Sequence, residues 1–255
     1  TLLGSQQTQA VEFAAYVEDD IEITNRLKIN AGLHFSGFYV NDKLYTSLQP
    51  RIAGRYLLNE QLSLKASYVQ MAQFIHLLTN SGIGLPTDLW VPATDRVRPQ
   101  TAQQWALGGA YNWRSGYEIS LEGYYKNMRN LIEYREGADF INVNQDWQDK
   151  VAVGDGRSYG AELLIQKKKG RTTGWLGYTL SWTDRQFDDL NFGERFPYKY
   201  DRRHDLGLAV VHEWRENIDV SATWVYGSGN TVTLPTAIYQ SSGHSSFFGE
   251  VYDYG

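Results

Sequence analysis

Gly174-Trp175-Leu176-Gly177-Tyr178-Thr179-Leu180-Ser181-Trp182-Thr183 is the stretch that decides the fold. Leu176, Tyr178, Leu180 and Trp182 fall on one face of an extended chain, and Gly177, Thr179, Ser181 and Thr183 fall on the other. That is the period of two of a β-strand; an amphipathic helix would need its apolar residues three and four apart. The same alternation recurs at Leu62, Leu64, Ala66 and Tyr68, and at Ile218, Val220, Ala222, Trp224 and Tyr226. It also recurs at Leu27, Ile29, Ala31, Leu33 and Phe35, and through most of 117–126.

Ten such segments run through 11–23, 27–39, 45–58, 62–74, 101–113, 117–129, 157–168, 174–185, 203–214 and 218–228. Each exceeds the usual soluble strand of about five or six residues. Each can cross a bilayer at a tilt, which takes about 9–11 residues. Short connections centre on Thr24-Asn25-Arg26, Asn59-Glu60-Gln61, Arg114-Ser115-Gly116, Lys169-Gly170-Arg171 and Arg215-Glu216-Asn217. They alternate with longer ones at 40–44, 75–100, 130–156 and 186–202 and the tail from 229. Alternating short and long connections describe an all-β, up-and-down antiparallel transmembrane β-barrel with one economical rim and one elaborated rim. Strand order should follow the sequence, and helix should be confined to a turn or two, with 72–80 the expected place.

Composition is consistent with this class. The charge balance, 24 Lys+Arg against 29 Asp+Glu, gives −5, which argues against nucleic acid as a partner. The absence of cysteine removes disulfides, thiolate metal sites and Cys nucleophiles. No apolar run approaches the ~20 residues of a membrane-crossing helix, and a barrel whose second residues face a polar lumen also reads as hydrophilic. Two aromatic bands are expected on the apolar face: Tyr56, Trp113, Tyr117, Trp175 and Trp214 beside the short turns, and Tyr39, Tyr45, Phe74, Tyr124, Tyr125, Trp182, Phe187 and Tyr226 toward the other rim. Asp19 breaks the apolar face of the first segment, which an interfacial position or a β-bulge would explain.

Five stretches at strand entries carry a family resemblance. They are Ala15-Tyr16-Val17-Glu18-Asp19-Asp20 with Leu27–Leu33, Leu48-Gln49-Pro50-Arg51, Val97-Arg98-Pro99-Gln100-Thr101-Ala102-Gln103-Gln104, Ser158-Tyr159-Gly160-Ala161-Glu162 and Tyr200-Asp201-Arg202-Arg203-His204-Asp205. In this order the chain resembles the barrel of TonB-dependent outer-membrane receptors, with His34 standing where Arg is usual. The resemblance implies that 1–255 is part of a 22-stranded barrel in the bacterial outer membrane. It also implies partners in membrane lipid, a plug domain with the remaining strands, the TonB complex and a small nutrient ligand taken up actively. A complete passive channel of 10–12 strands is the alternative, and a barrel hydrolase is a third reading.

No catalytic, cofactor or metal residues are assigned. His76, His204, Asp201 and Asp205 are the hydrolase candidates, but they form no recognisable motif. The histidines at 34, 76, 204, 212 and 244 lack ligand spacing, and Asp184, Asp188 and Asp189 lack the EF-hand pattern. Lys167-Lys168-Lys169 with Arg171 is a basic turn, either solvated or touching anionic head groups. Val153-Gly154-Asp155-Gly156 has no helix after it, so it reads as a turn rather than a phosphate loop. The connection 75–100 is apolar enough to require burial. Trp90, Trp147, Tyr198 and Tyr200 are the expected stacking groups for a ligand.

Overall fold

The computed structural model describes residues 8–79, 88–113, 116–135, 146–229, 231, 237–240 and 250–253. Ten long strands make one antiparallel sheet: β1 (Ala10–Glu22), β2 (Leu27–Val40), β3 (Lys43–Leu57), β4 (Leu62–Gln73), β7 (Gln100–Trp113), β8 (Tyr117–Tyr134), β9 (Val151–Lys167), β10 (Thr172–Gln186), β12 (His204–Arg215) and β13 (Ile218–Gly227). They pair in chain order, and β1 and β13 are the two edges. Short β5 (Ile75–Leu78) pairs with β6 (Leu89–Pro92), and β11 (Phe196–Pro197) adds to β10. A separate pair, β14 (Ala237–Gln240) and β15 (Glu250–Asp253), completes the described elements. Among the described residues no ladder joins β1 to β13, so the sheet is open.

The register separates two faces. One row runs Glu22, Lys28, Arg55, Lys65, Gly108, Glu122, Glu162, Thr179, Asp205 and Gly227, one residue from each strand. A row of the opposite face reads Leu27, Tyr56, Leu64, Gly109, Leu121, Leu163, Tyr178, Leu206 and Tyr226. The sheet is concave on the charged side, where a cavity of about 340 Å³ is lined by Asp20, Lys28, Asn30, Arg55, Lys65 and Glu122. Leu176, Tyr178, Leu180 and Trp182 therefore lie on the outer face, and Thr179 and Ser181 on the inner one, as the alternation predicts. Within the charged row, Glu22 lies close to the Thr24 turn, while Gly227 lies far from the Arg215–Asn217 turn. The row climbs by roughly one residue per strand, which corresponds to a tilt of about 35°, as in barrels.

The outer face carries an aromatic ladder on five neighbouring strands: Tyr68, Trp105, Tyr125, Tyr159 and Trp182. Successive rings lie 5.5, 6.3, 6.4 and 5.3 Å apart. Trp113 and Tyr117, 5.9 Å apart, mark the opposite rim. Trp105 and Trp113 are separated by roughly 27 Å along β7, or about 22 Å once tilted, close to the height of an apolar membrane band. Trp175 departs from the expectation: it is turned inward, with its ring over Gly177 and Gly207. Tyr124 also faces inward. Tyr45, Phe74 and Phe187 pack in the interior of the long-connection end instead of forming a band. Apolar residues at that end find buried partners, so composition alone misassigns them to the membrane.

Local chemistry sets the turns. Thr24 Oγ1 accepts from the backbone N–H groups of Arg26 and Leu27, and Asn59 Oδ1 from those of Gln61 and Leu62. Residues 40–44 are not a long connection: Asn41 and Asp42 both have positive φ, 46° and 59°, and close a two-residue hairpin. Pro50 lies where the β3–β4 ladder stops, at Arg51–Val69, so its missing N–H breaks no bond there. Asp19 stays in an unbroken register with Ala31, so no bulge explains it; it is exposed on the edge strand.

Three further expectations are corrected. The helical turn at 72–80 is absent over 72–79: β4 ends at Gln73, and Ile75–Leu78 form β5 because they find a partner in Leu89–Pro92. A 3₁₀ turn lies instead at Trp147–Lys150, and Asn191–Gly193 form a left-handed turn with φ of 49°, 54° and 76°. The described part of the connection 130–156 is largely strand, since β8 and β9 extend past the wall, and Gly154 and Gly156 lie inside β9 rather than in a turn. A bulge between Met128 and Leu131, with Asn130 at φ 57°, reverses the side-chain alternation of β8. The extended hairpin is then covered on both faces. Leu131 and Ala152 pack against Phe187 and Leu190, while Ile132 and Val151 pack against Leu78, Val91 and Val97. The apolar connection 75–100 thus buries Leu78, Val91, Ala93 and Val97 and leaves Trp90 exposed. Arg114, Ser115, residues 80–87 and residues 241–249 of the tail lie outside the described residues.

Candidate functional site

The long-connection end of the sheet is where side chains from separate connections meet. Arg185, at the end of β10, donates from Nη1 to Glu133 Oε2 at 2.7 Å and to the Ile132 carbonyl at 3.3 Å. Both partners of this ion pair are buried, Arg185 at 8% and Glu133 at 6% exposure. The Tyr198 ring lies over the guanidinium, 3.5 Å from its centre. Tyr198 meets Tyr200 edge to face, with centroids 5.4 Å apart. The Tyr200 hydroxyl donates to Asp88 Oδ2 at 2.6 Å, and Lys199 Nζ reaches Asp88 Oδ1 at 3.4 Å. That bond to Asp88 holds the Tyr200 hydroxyl above its ordinary pKa. Asp88 thereby ties the segment before β6 to the connection between β10 and β12.

The remaining connections are joined separately. Asp146 caps the turn at Trp147–Lys150 by accepting from the Gln148 N–H at 3.1 Å. Thr94 Oγ1 donates to Gln148 Oε1, the Tyr45 hydroxyl donates to the Thr94 carbonyl, and Arg96 pairs with Asp149. His76 is fully buried, with Nδ1 2.9 Å from Gln100 Nε2. An amide NH₂ can only donate, so Nδ1 accepts and the ring proton belongs on Nε2. Burial lowers the His76 pKa to about 4, outweighing the opposite effect of the Arg98 backbone.

The four expected stacking residues thus divide. Tyr198 and Tyr200 come together. Trp147 is half-buried and packs against the cluster of Leu78, Val91, Val97, Ile132 and Val151. Trp90 is 62% exposed on the side of β6 opposite buried Val91. Asp88, Glu133, Arg185 and Lys199 carry no signal in the sequence. The arginine sits in a strand pattern, and the bulge that brings Glu133 to it leaves no alternation to read.

The hydrolase candidates do not converge. His204 lies on the outer face with Nδ1 2.8 Å from the Tyr178 hydroxyl, and Asp205 faces inward beside Arg202. Asp201 accepts from the Thr183 N–H and pairs with Arg203. Asp184 pairs with Arg157 and Asp189 with Arg135. Among the described residues no three His, Cys, Asp or Glu side chains are grouped to hold a metal ion.

Comparison with known proteins agrees with this geometry. No curated protein matches the chain. Among solved structures, the ferripyoverdine receptor of the Pseudomonas aeruginosa outer membrane superposes with a TM-score of 0.59 at 14% identity, covering 89% of this chain and 32% of that one. The ferric-catecholate import receptor Fiu of E. coli K12 gives 0.60 at 15% identity, covering 85% and 34%. The copper transporter OprC gives 0.62 at 14% identity, also covering 85% and 34%. The chain therefore spans about a third of the structures it resembles, and at these identities the likeness concerns the fold. The profile of the family described as TonB dependent receptor-like, beta-barrel matches residues 3–247. With that match over nearly the whole chain, and a tilted meander polar within and apolar without, this chain belongs to the TonB-dependent receptor β-barrel family.

Proposed function

We propose that this chain forms part of the wall and outer loops of a receptor in the bacterial outer membrane that actively imports a specific small nutrient. The observation that carries the reading is the family match across 3–247 on a sheet whose outer face is apolar between aromatic rims. Lipid covers that face. The charged concave face lines a lumen that holds a plug domain, and the TonB complex drives transport through it. No enzymatic step is assigned to the chain. Siderophores and metal ions, named for several of its structural neighbours, are the substrate classes to test first. Trp90, Trp147, Tyr198 and Tyr200 remain the proposed ligand contacts, with Tyr198 and Tyr200 the pair held in place by Arg185 and Asp88.

The test is uptake by the intact protein in a strain lacking its other receptors, against a panel of labelled iron chelates and metal ions. One substrate should accumulate, and loss of the TonB complex should abolish its accumulation. Tyr198→Ala with Tyr200→Ala should weaken binding of that substrate at unchanged barrel yield. Uptake that persists without the TonB complex would contradict active transport.

A further inference from the structure

The basic turn between β9 and β10 is used by nothing described so far. Lys167, Lys168, Lys169 and Arg171 are four cations within five residues, interrupted by Gly170 at φ 96°. Its backbone is fixed from both sides. The Lys168 N–H donates to the Gly116 carbonyl at 2.9 Å, and the Glu213 N–H donates to the Arg171 carbonyl at 2.8 Å. Lys168 is neutralised by Glu118 at 2.5 Å. Lys169 and Arg171 are exposed and have no carboxylate partner among the described residues. Lys167 supplies an independent pointer. Its register partners are Tyr117 and Gly174, which puts it in the outer-face row of Trp113, and its ammonium lies 5.4 Å over the centre of the Tyr117 ring.

One cation therefore faces the bilayer side at the level of the aromatic rim, and two more lie just beyond it. The rows immediately inward along the same face are apolar, with Ile119, Ile165, Leu176 and Leu208 side by side. Aromatic rings lie at head-group depth, and long basic side chains beside them extend their charge to the interface. The other short turns hold at most one cation each, Arg26, Arg114 or Arg215, and Asn59–Gln61 holds none, so positive charge is densest at this turn. We propose that this turn binds the anionic head group of an inner-leaflet phospholipid. The phosphodiester would rest on Lys167, Lys169 and Arg171, and the acyl chains would lie along the Ile165–Leu176 surface. The inference rests on the outer-membrane barrel reading.

The test uses the intact protein, first located by membrane fractionation. If it is absent from the outer membrane, the barrel reading itself fails. If it is present, the protein is reconstituted in phosphatidylethanolamine nanodiscs with a minor fraction of phosphatidylglycerol, and co-purifying lipid is measured by native mass spectrometry. Each cation near an anionic surface contributes about a five-fold gain in affinity. Wild type should be enriched in phosphatidylglycerol, and Lys169→Gln with Arg171→Gln should lose about 25-fold of that preference at low salt. The charge-conserving pair Lys169→Arg with Arg171→Lys should retain it. Equal enrichment in wild type and the neutral pair would overturn the proposal, as would displacement of the lipid by millimolar inorganic phosphate.

Discussion

At the scale of single residues, parity decides what each side chain tolerates. Leu180 lies in the outer row between Ala161 and His204, and Thr179 in the inner row between Glu162 and Asp205. Leu180→Arg places a charge in hydrocarbon and should cost roughly 2–4 kcal/mol in reversible folding into bilayers, while Thr179→Arg should be mild. Similar costs at both positions would refute the assigned faces. His76 makes a different prediction, because its burial favours the neutral ring. The unfolded chain takes up a proton near 6.5, the folded one only near about 4. Protonation therefore favours unfolding as pH falls between those values, and above 6.5 the effect vanishes. The β5–β6 region should lose on the order of 3 kcal/mol over that window. Hydrogen exchange of β5 and β6 amides at descending pH measures this, and His76→Gln should flatten the profile. An unchanged profile in that variant would show that another group titrates.

Among elements, the extended β8–β9 hairpin is held to the end of β10 by a buried ion pair, beside the cluster of Leu131, Ala152, Phe187 and Leu190. Arg185→Met leaves Glu133 buried without its cation and should destabilise by about 3–5 kcal/mol. Replacing both, as Arg185→Met with Glu133→Leu, should recover most of the loss, because apolar residues of similar size suit a site already flanked by Leu131 and Phe187. A double-mutant cycle by denaturant unfolding would show this, and purely additive losses would mean the pair is not coupled. The ten wall strands are legible in the sequence because each alternates between lipid-compatible and polar residues for ten or more positions. The strands β5 and β6 and the strand extensions are concealed for a physical reason. Beyond the wall both faces of the hairpin are buried, so Leu131, Ile132, Val151 and Ala152 form apolar runs with no alternation. The Asn41–Asp42 turn is hidden differently, since two residues with positive φ fit inside a stretch whose composition reads as a loop. Among candidate contacts, Tyr198 and Tyr200 are legible as aromatic residues in a connection, but their partners Arg185 and Asp88 lie 13 and 112 residues away, a pairing that only tertiary structure reveals.

For the whole molecule, the decisive feature is that the two edges do not meet. An unpaired strand edge exposes backbone N–H and C=O groups, which hydrocarbon cannot satisfy, so a membrane-inserted sheet of this kind must have both edges paired. Ten strands could satisfy this by curling until β1 reached β13, or each edge could pair with further strands of a larger barrel. Strand number sets diameter, so in the larger barrel the two edges are far apart. The open order from β1 to β13 and the coverage of about a third of the neighbouring structures favour the second arrangement. These 255 residues hold no cysteine, so cysteines can be introduced at chosen strand pairs without a native thiol among them. Tyr16 and Val225 both point to the concave face of the edge strands, and Ser63 and Ala110 face each other on neighbouring β4 and β7. A disulfide needs Cα atoms within about 7 Å. In the intact, membrane-inserted protein, Ser63→Cys with Ala110→Cys should therefore cross-link under mild oxidation, and Tyr16→Cys with Val225→Cys should not. At the same time the amides of β1 and β13 should be protected from exchange, since in the larger barrel neighbouring strands would occupy both edges. Cross-linking of the edge pair would establish a closed ten-strand channel and remove the larger barrel; exchange-labile edges in the bilayer would contradict any membrane-spanning arrangement of this sheet.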